Sequence, residues 1–280
     1  MLNTCICKLC GKHFTDNEMS DEHYPAKSTG NNDIVQMNLI KMVDMFQSGE
    51  MKERILEGLS AGKTLKEVSD EIFDRDLAEP LYPTGRTART LCRDCNTFLG
   101  KYDEAYLKFF NADGEPKAIR GFQRNTKMQI IKSIFGKFLS VPEAADEQFD
   151  FIPFLRNKDL DKYEGKWHLY FVKRDLSTDL LGLAEIETGK DQYNEGVVYE
   201  LTDDKFIFDL MDFEKHECFE MNNIFDILTK DYQLITGVGN DGGYHAGMVI
   251  GRMLEQMANP DNQYEGVDEK HDIQGRKDEG

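Results

Sequence analysis

Four cysteines fall in two pairs with the spacing that lets a turn of backbone present two thiolates together. Cys7 and Cys10 lie in CICKLCGKHF, and Cys92 and Cys95 in RTLCRDCNTFLG. Each pair supplies half of a tetrahedral zinc site, and together they make a Cys₄ site of the closed, structural kind. Cys5 is a competing donor beside Cys7, but Cys7 has the knuckle spacing and a glycine after its partner. Between the pairs, DEHYPAKS sets Glu22 next to His23, two residues before Pro25, and the residue directly behind Cys95 is Asn96. A carboxylate and an amide carbonyl are hard oxygen donors, and an imidazole titrates near neutral pH.

Cys7-x-x-Cys10, Glu22-His23 and Cys92-x-x-Cys95-Asn96 together resemble the HNH (ββα-metal) endonucleases, in particular the zinc-stapled branch with the endonuclease-VII-type and E-H-x-x-P nucleases. The resemblance covers about residues 5 to 110. It implies that Cys7, Cys10, Cys92 and Cys95 hold a structural zinc, that Glu22 and Asn96 bind a catalytic Mg²⁺ or Mn²⁺, and that His23 activates water. An asparagine one residue past a zinc-fixed turn would be held rigidly for such an ion. The implied activity is metal-dependent hydrolysis of phosphodiester bonds, with DNA as the implied substrate. Glu22 stands where many relatives carry Asp, and 69 residues separate His23 from Cys92, so about residues 31 to 85 are expected to be an insert. Loop closure cost grows only logarithmically, so an insertion of this length is tolerable. The competing reading is a non-catalytic zinc-binding interaction protein, or a nucleic-acid mimic, on the same scaffold.

The elements that must carry these residues follow from periodicity. Helical spacing is expected over 34–47, 64–75, 94–110 and about 125–139; Pro80 and Pro83 are expected to close the insert. KSTGNN at 27–32 reads as loop. Beyond Pro142, WHLYFV at 167, VVYEL at 197, KFIFDL at 205 and YQLITGV at 232 read as strands, with helices near 222–229 and an apolar helix or strand near 246–257. The expected fold class is α+β: an N-terminal zinc-bound ββα-metal (HNH) module with a helical insert over 1–140, an acidic C-terminal mixed α/β domain over 141–258, and a polar tail over 259–280 that buries too little apolar surface to fold. GVGNDGGYHAG at 237–247 lacks a phosphate-loop register and reads as a turn.

The net charge of −18 argues against a nucleic-acid partner only on average. Residues 1–140 carry 20 Lys/Arg and 20 Asp/Glu, whereas 141–280 carry 14 and 32. Residues 86–137 are locally basic, with 11 Lys/Arg against 5 Asp/Glu. Arg86, Arg89 and Arg93 are accordingly candidates for phosphate contact, and the acidic half is a candidate surface for a protein partner. Six cysteines in 280 residues, four of them in metal-type pairs, point to a reduced, cytoplasmic setting, and no apolar run suggests a membrane partner. Cys218 reads as a small buried apolar residue. His13, His168, His216, His245 and His271 read as ordinary polar side chains.

Overall fold

A computed structural model of the chain describes residues 4–121, 123–174, 188–215 and 220–237. The N-terminal hairpin pairs β1 (Thr4–Ile6) with β2 (His13–Thr15), and the first cysteine pair occupies its turn. Strand β3 (Met19–His23) follows after one 3₁₀ turn capped by Thr15 and Glu18. The chain then leaves for the insert. Strand β4 (Ile34–Met37) leads into helices α1 (Leu39–Ser48), α2 (Glu50–Ser60) and α3 (Leu65–Ile72), and β5 (Ala78–Tyr82) returns antiparallel to β4. Strand β6 (Thr87–Cys92) pairs antiparallel with β3 and runs directly into α4 (Arg93–Asn111).

The helix expected over 34–47 is therefore half strand. The Asn38 side chain accepts a hydrogen bond from Lys41 N at 2.8 Å and starts the helix there, while Ile34 and Val35, stiff at χ1, lie in a strand paired with β5. The segment expected at 64–75 begins with a Thr64–Glu67 capping box and relaxes into a wider π-type turn over 73–77. Pro80 sits in β5 opposite Val35, on a two-stranded ribbon where a missing donor is tolerated.

Helix α5 (Arg124–Lys137) packs against α4, with Gly136 beside Leu99. A short helix α6 (Ile152–Arg156) follows, then a sheet built from β7 (His168–Arg174), β8 (Thr188–Gln192), β9 (Val197–Thr202), β10 (Phe206–Met211) and β11 (Asn222–Asn223), in the order β11-β7-β10-β9-β8. Of YQLITGV only β12 (Thr236–Gly237) is strand, paired parallel to β7, and the helix expected at 222–229 shrinks to a 3₁₀ stretch over 224–228. Residues 246–257, the tail 259–280, Cys218, His216, His245 and His271 lie outside the described residues. So does most of the turn expected at 237–247.

Strand β10 shows how the sheet is held. Phe206, Phe208 and Leu210 face α4 and α5, while Ile207 and Met211 face a second apolar cluster with Tyr170, Val172 and Val198. The main core runs without interruption from Cys7 and Leu91 through Phe109 and Phe135 to Phe171 and Tyr232. The expected boundary at 140/141 thus falls inside one compact unit that extends to Asn240. Charge is a property of the surface and changes there; apolar packing ignores it. The insert keeps a core of its own, Met45, Met51, Val68, Ile72 and Leu77. Among the described residues no helix is long and apolar enough to cross a membrane.

Candidate functional site

The four predicted cysteines converge. The sulfurs of Cys7, Cys10, Cys92 and Cys95 all lie within 4.8 Å of one another, and Cys5, on β1, is not in the group. Local backbone builds each half. Gly11 N donates to Cys7 O at 2.8 Å in a turn that needs φ +72° at Gly11, and Cys92 N donates to Cys7 Sγ at 3.3 Å across the two pairs. Burial first, then the crowding of Cys92, Cys7 and Cys10, push the Cys95 thiol far above its ordinary value. Four thiolates so close need a cation, and all-sulfur tetrahedral sets suit zinc. Compatibility with a structural zinc is thus a matter of both donor type and spacing.

The same staple places the other predicted residues. Cys92 ends β6 and caps α4, so Asn96 falls in the first turn of α4. Its Nδ2 donates to Ser20 Oγ of β3 at 2.6 Å, which turns the amide carbonyl oxygen to be the atom available to a cation. Two residues on, the register between β3 and β6 is broken by a bulge between Ser20 and Glu22. Bulges re-aim side chains, and Glu22 is turned inward, 5% exposed. His23 stays half-buried, with Nε2 3.1 Å from the Thr84 carbonyl. A carbonyl only accepts, so Nε2 is the donor in this contact.

Glu22 meets a residue that sequence reasoning missed. Its Oε1 is paired with Lys137 Nζ of α5, which also donates to Asp103 Oδ2 of α4 at 2.7 Å; Ser133 Oγ holds Asp103 Oδ1 at 2.6 Å. Burial pushes the Glu22 carboxyl above its usual range against the attraction of Lys137. Burial also opposes charge on Lys137, but Asp103 and Glu22 outweigh it and hold the ammonium above its ordinary value. These tendencies conflict, and an ammonium within hydrogen-bond reach of both carboxylates decides for the charged pair. A sequence signal existed: Lys132 and Lys137 interrupt the otherwise apolar run IIKSIFGKF. Asn31, read as loop, is fully buried and clamps the site's rim through Pro25 O at 2.8 Å, Arg86 O at 2.9 Å and Arg86 N at 2.6 Å.

The three arginines are near the site but differ in freedom. Arg89 bridges Asp16 at 2.6 Å and Asp21 at 2.7 Å, Arg93 donates to Asn17 O at 2.8 Å, and the Arg86 guanidinium lies over the Tyr82 ring at 5.1 Å. Arg89 and Arg93 therefore brace the loop between β2 and β3. His13 is exposed on β2 and His168 half-buried on β7, and neither belongs to the cysteine cluster's ligand set. No protein-family model, curated protein or solved structure matches the chain.

Proposed function

We propose that the chain is a metal-dependent endonuclease of HNH type that hydrolyses phosphodiester bonds, with DNA as substrate. One observation carries the reading: a four-cysteine cluster joins the β1–β2 turn to the junction of β6 and α4, and β3 pairs with β6, so that Glu22-His23 on a strand and Asn96 on the helix after β6 belong to one ββα unit, tied at Ser20 and Asn96. In this reading zinc is scaffold, and a Mg²⁺ or Mn²⁺ ion bound through Glu22 and Asn96 would neutralise charge on the scissile phosphate. His23, oriented by the Thr84 carbonyl, takes a proton from water at Nδ1. Arg86, Arg89 and Arg93 border the site and supply positive charge for the phosphate backbone. The acidic residues beyond 140 are the surface offered to a protein partner.

A second reading has an observation of its own. The carboxylate of Glu22 is satisfied by Lys137, as in a purely structural ion pair, which suits a zinc-bound interaction module without catalysis. Nicking of supercoiled plasmid in Mg²⁺ or Mn²⁺ separates the two. The nuclease reading expects nicking by the wild-type chain and its loss in His23→Ala, with zinc content and melting temperature unchanged. Absence of nicking by zinc-loaded wild-type protein, or full activity of His23→Ala, would overturn it.

A further inference from the structure

We propose that Lys137 is the resident counter-cation of Glu22 and sets how tightly a divalent ion is held there, because the ammonium must withdraw before the carboxylate accepts such an ion. The inference rests on the reading of Glu22 as an ion ligand. The side chains of Lys137 and Glu22 are 9% and 7% exposed, and that of Asp103 is 23% exposed. One positive charge thus stands between two carboxylates in a buried setting, which leaves the trio one negative charge in excess. A divalent ion in its place would balance both carboxylates, and carboxylate oxygens are the donors Mg²⁺ and Mn²⁺ prefer.

The placement looks built for one cation. Ser133 lies one turn before Lys137 on α5 and fixes the far oxygen of Asp103, so α5 both supplies the ammonium and orients its second partner. Lysine is a point charge on a flexible four-carbon stem and can leave a carboxylate without dragging its helix along. The structure therefore makes Lys137 a positioning residue: it keeps Glu22 aimed in the absence of a divalent ion, and it competes once one arrives.

The test uses the full-length, zinc-loaded chain and Mn²⁺ alone, titrated by calorimetry, with zinc content and thermal melting followed in parallel. Lys137→Met is expected to bind Mn²⁺ at least about tenfold more tightly than wild type, since a unit charge beside the site is removed. Mn²⁺ should raise its melting temperature more than that of wild type. Glu22→Gln should lose Mn²⁺ binding. A folded Lys137→Met with equal or weaker Mn²⁺ affinity, while Glu22→Gln loses it, overturns the competition and leaves Glu22 as ligand. Undiminished Mn²⁺ binding by Glu22→Gln overturns both. Should Lys137→Met fail to fold in metal-free buffer, recovery of its melting transition by millimolar Mn²⁺ supports the proposal, and failure to recover overturns it.

Discussion

The two ends of α4 are held by different physics. Its first turn carries Cys95 and Asn96 and is fixed by polar contacts: Cys92 N donates to Cys7 Sγ and Asn96 Nδ2 to Ser20 Oγ. Its last two turns carry Tyr106, Phe109 and Phe110, which pack on the sheet with ring centroids 5.9 Å from Phe208 to Tyr106, 5.5 Å from Phe206 to Phe109 and 6.1 Å from Phe171 to Phe109. The first end gathers four thiols that could hold a metal ion; the packing end needs only water exclusion. One helix therefore couples a site that could hold a metal ion to a core that needs none.

Removing either anchor tests this division. A chain ending at 141 would strip Tyr106, Phe109 and Phe110 of Phe171, Phe206 and Phe208, so no cooperative thermal transition is expected from that fragment; a folded fragment would show that the packing end is dispensable. Cys92→Ser comes next. It should lose zinc and cost at least about 5 kcal/mol, since structural zinc supplies folding free energy directly. Loss of exchange protection should concentrate in 5–23 and 87–96 while the sheet retains its own, and a zinc-free variant with unchanged melting would contradict the coupling. At the opposite end Phe109→Ala, fully buried in the wild type, should cost about 3–5 kcal/mol with zinc content unchanged.

A pH series sharpens the contrast. Asp203, at the turn between β9 and β10, accepts a hydrogen bond from Tyr106 and from Lys205 N and Phe206 N, each backbone contact at 2.9 Å. Complete burial, partly offset by these hydrogen bonds, pushes its carboxyl up to about 7. Below about pH 4 the group is protonated in both states. Between there and about 7 the folded chain keeps a proton that the unfolded chain has released, so stability falls as pH rises and levels off above 7. The loss amounts to a few kcal/mol. Asp203→Asn should flatten this slope and melt higher than wild type at pH 8; an unchanged slope in the urea-denaturation series would remove Asp203 as its source. The smallest effect belongs to the insert. Phe46, 61% exposed on α1, should tolerate Ser with a change of about 0.5 kcal/mol or less and no change in zinc or nicking.

Periodicity placed α4 and α5 well, because Leu99, Tyr102, Tyr106 and Phe109 repeat at helical spacing and bury one face. It misread Ile34–Met37, where the same apolar residues satisfy either period and only pairing with β5 settles the matter. The cysteine cluster was legible because thiol pairs at fixed spacing have few other uses. Glu22, His23 and Asn96 were legible as candidates, but their surroundings were not: the partner of Glu22 lies 115 residues away, and that of Asn96 lies 76 residues away.

By itself the sequence determined the residue types that chemistry requires, the helices and strands whose spacing declares a buried face, and the division of charge between the halves. Tertiary structure alone decided that described residues on both sides of 140 share one core, that Arg89 and Arg93 brace a loop, and that Lys137 stands between Glu22 and Asp103. The reason is range. Periodicity and thiol spacing are written over a few residues, whereas burial and ion pairing are set by groups brought together from distant parts of the chain, whose free energies depend on the surroundings they acquire only on folding.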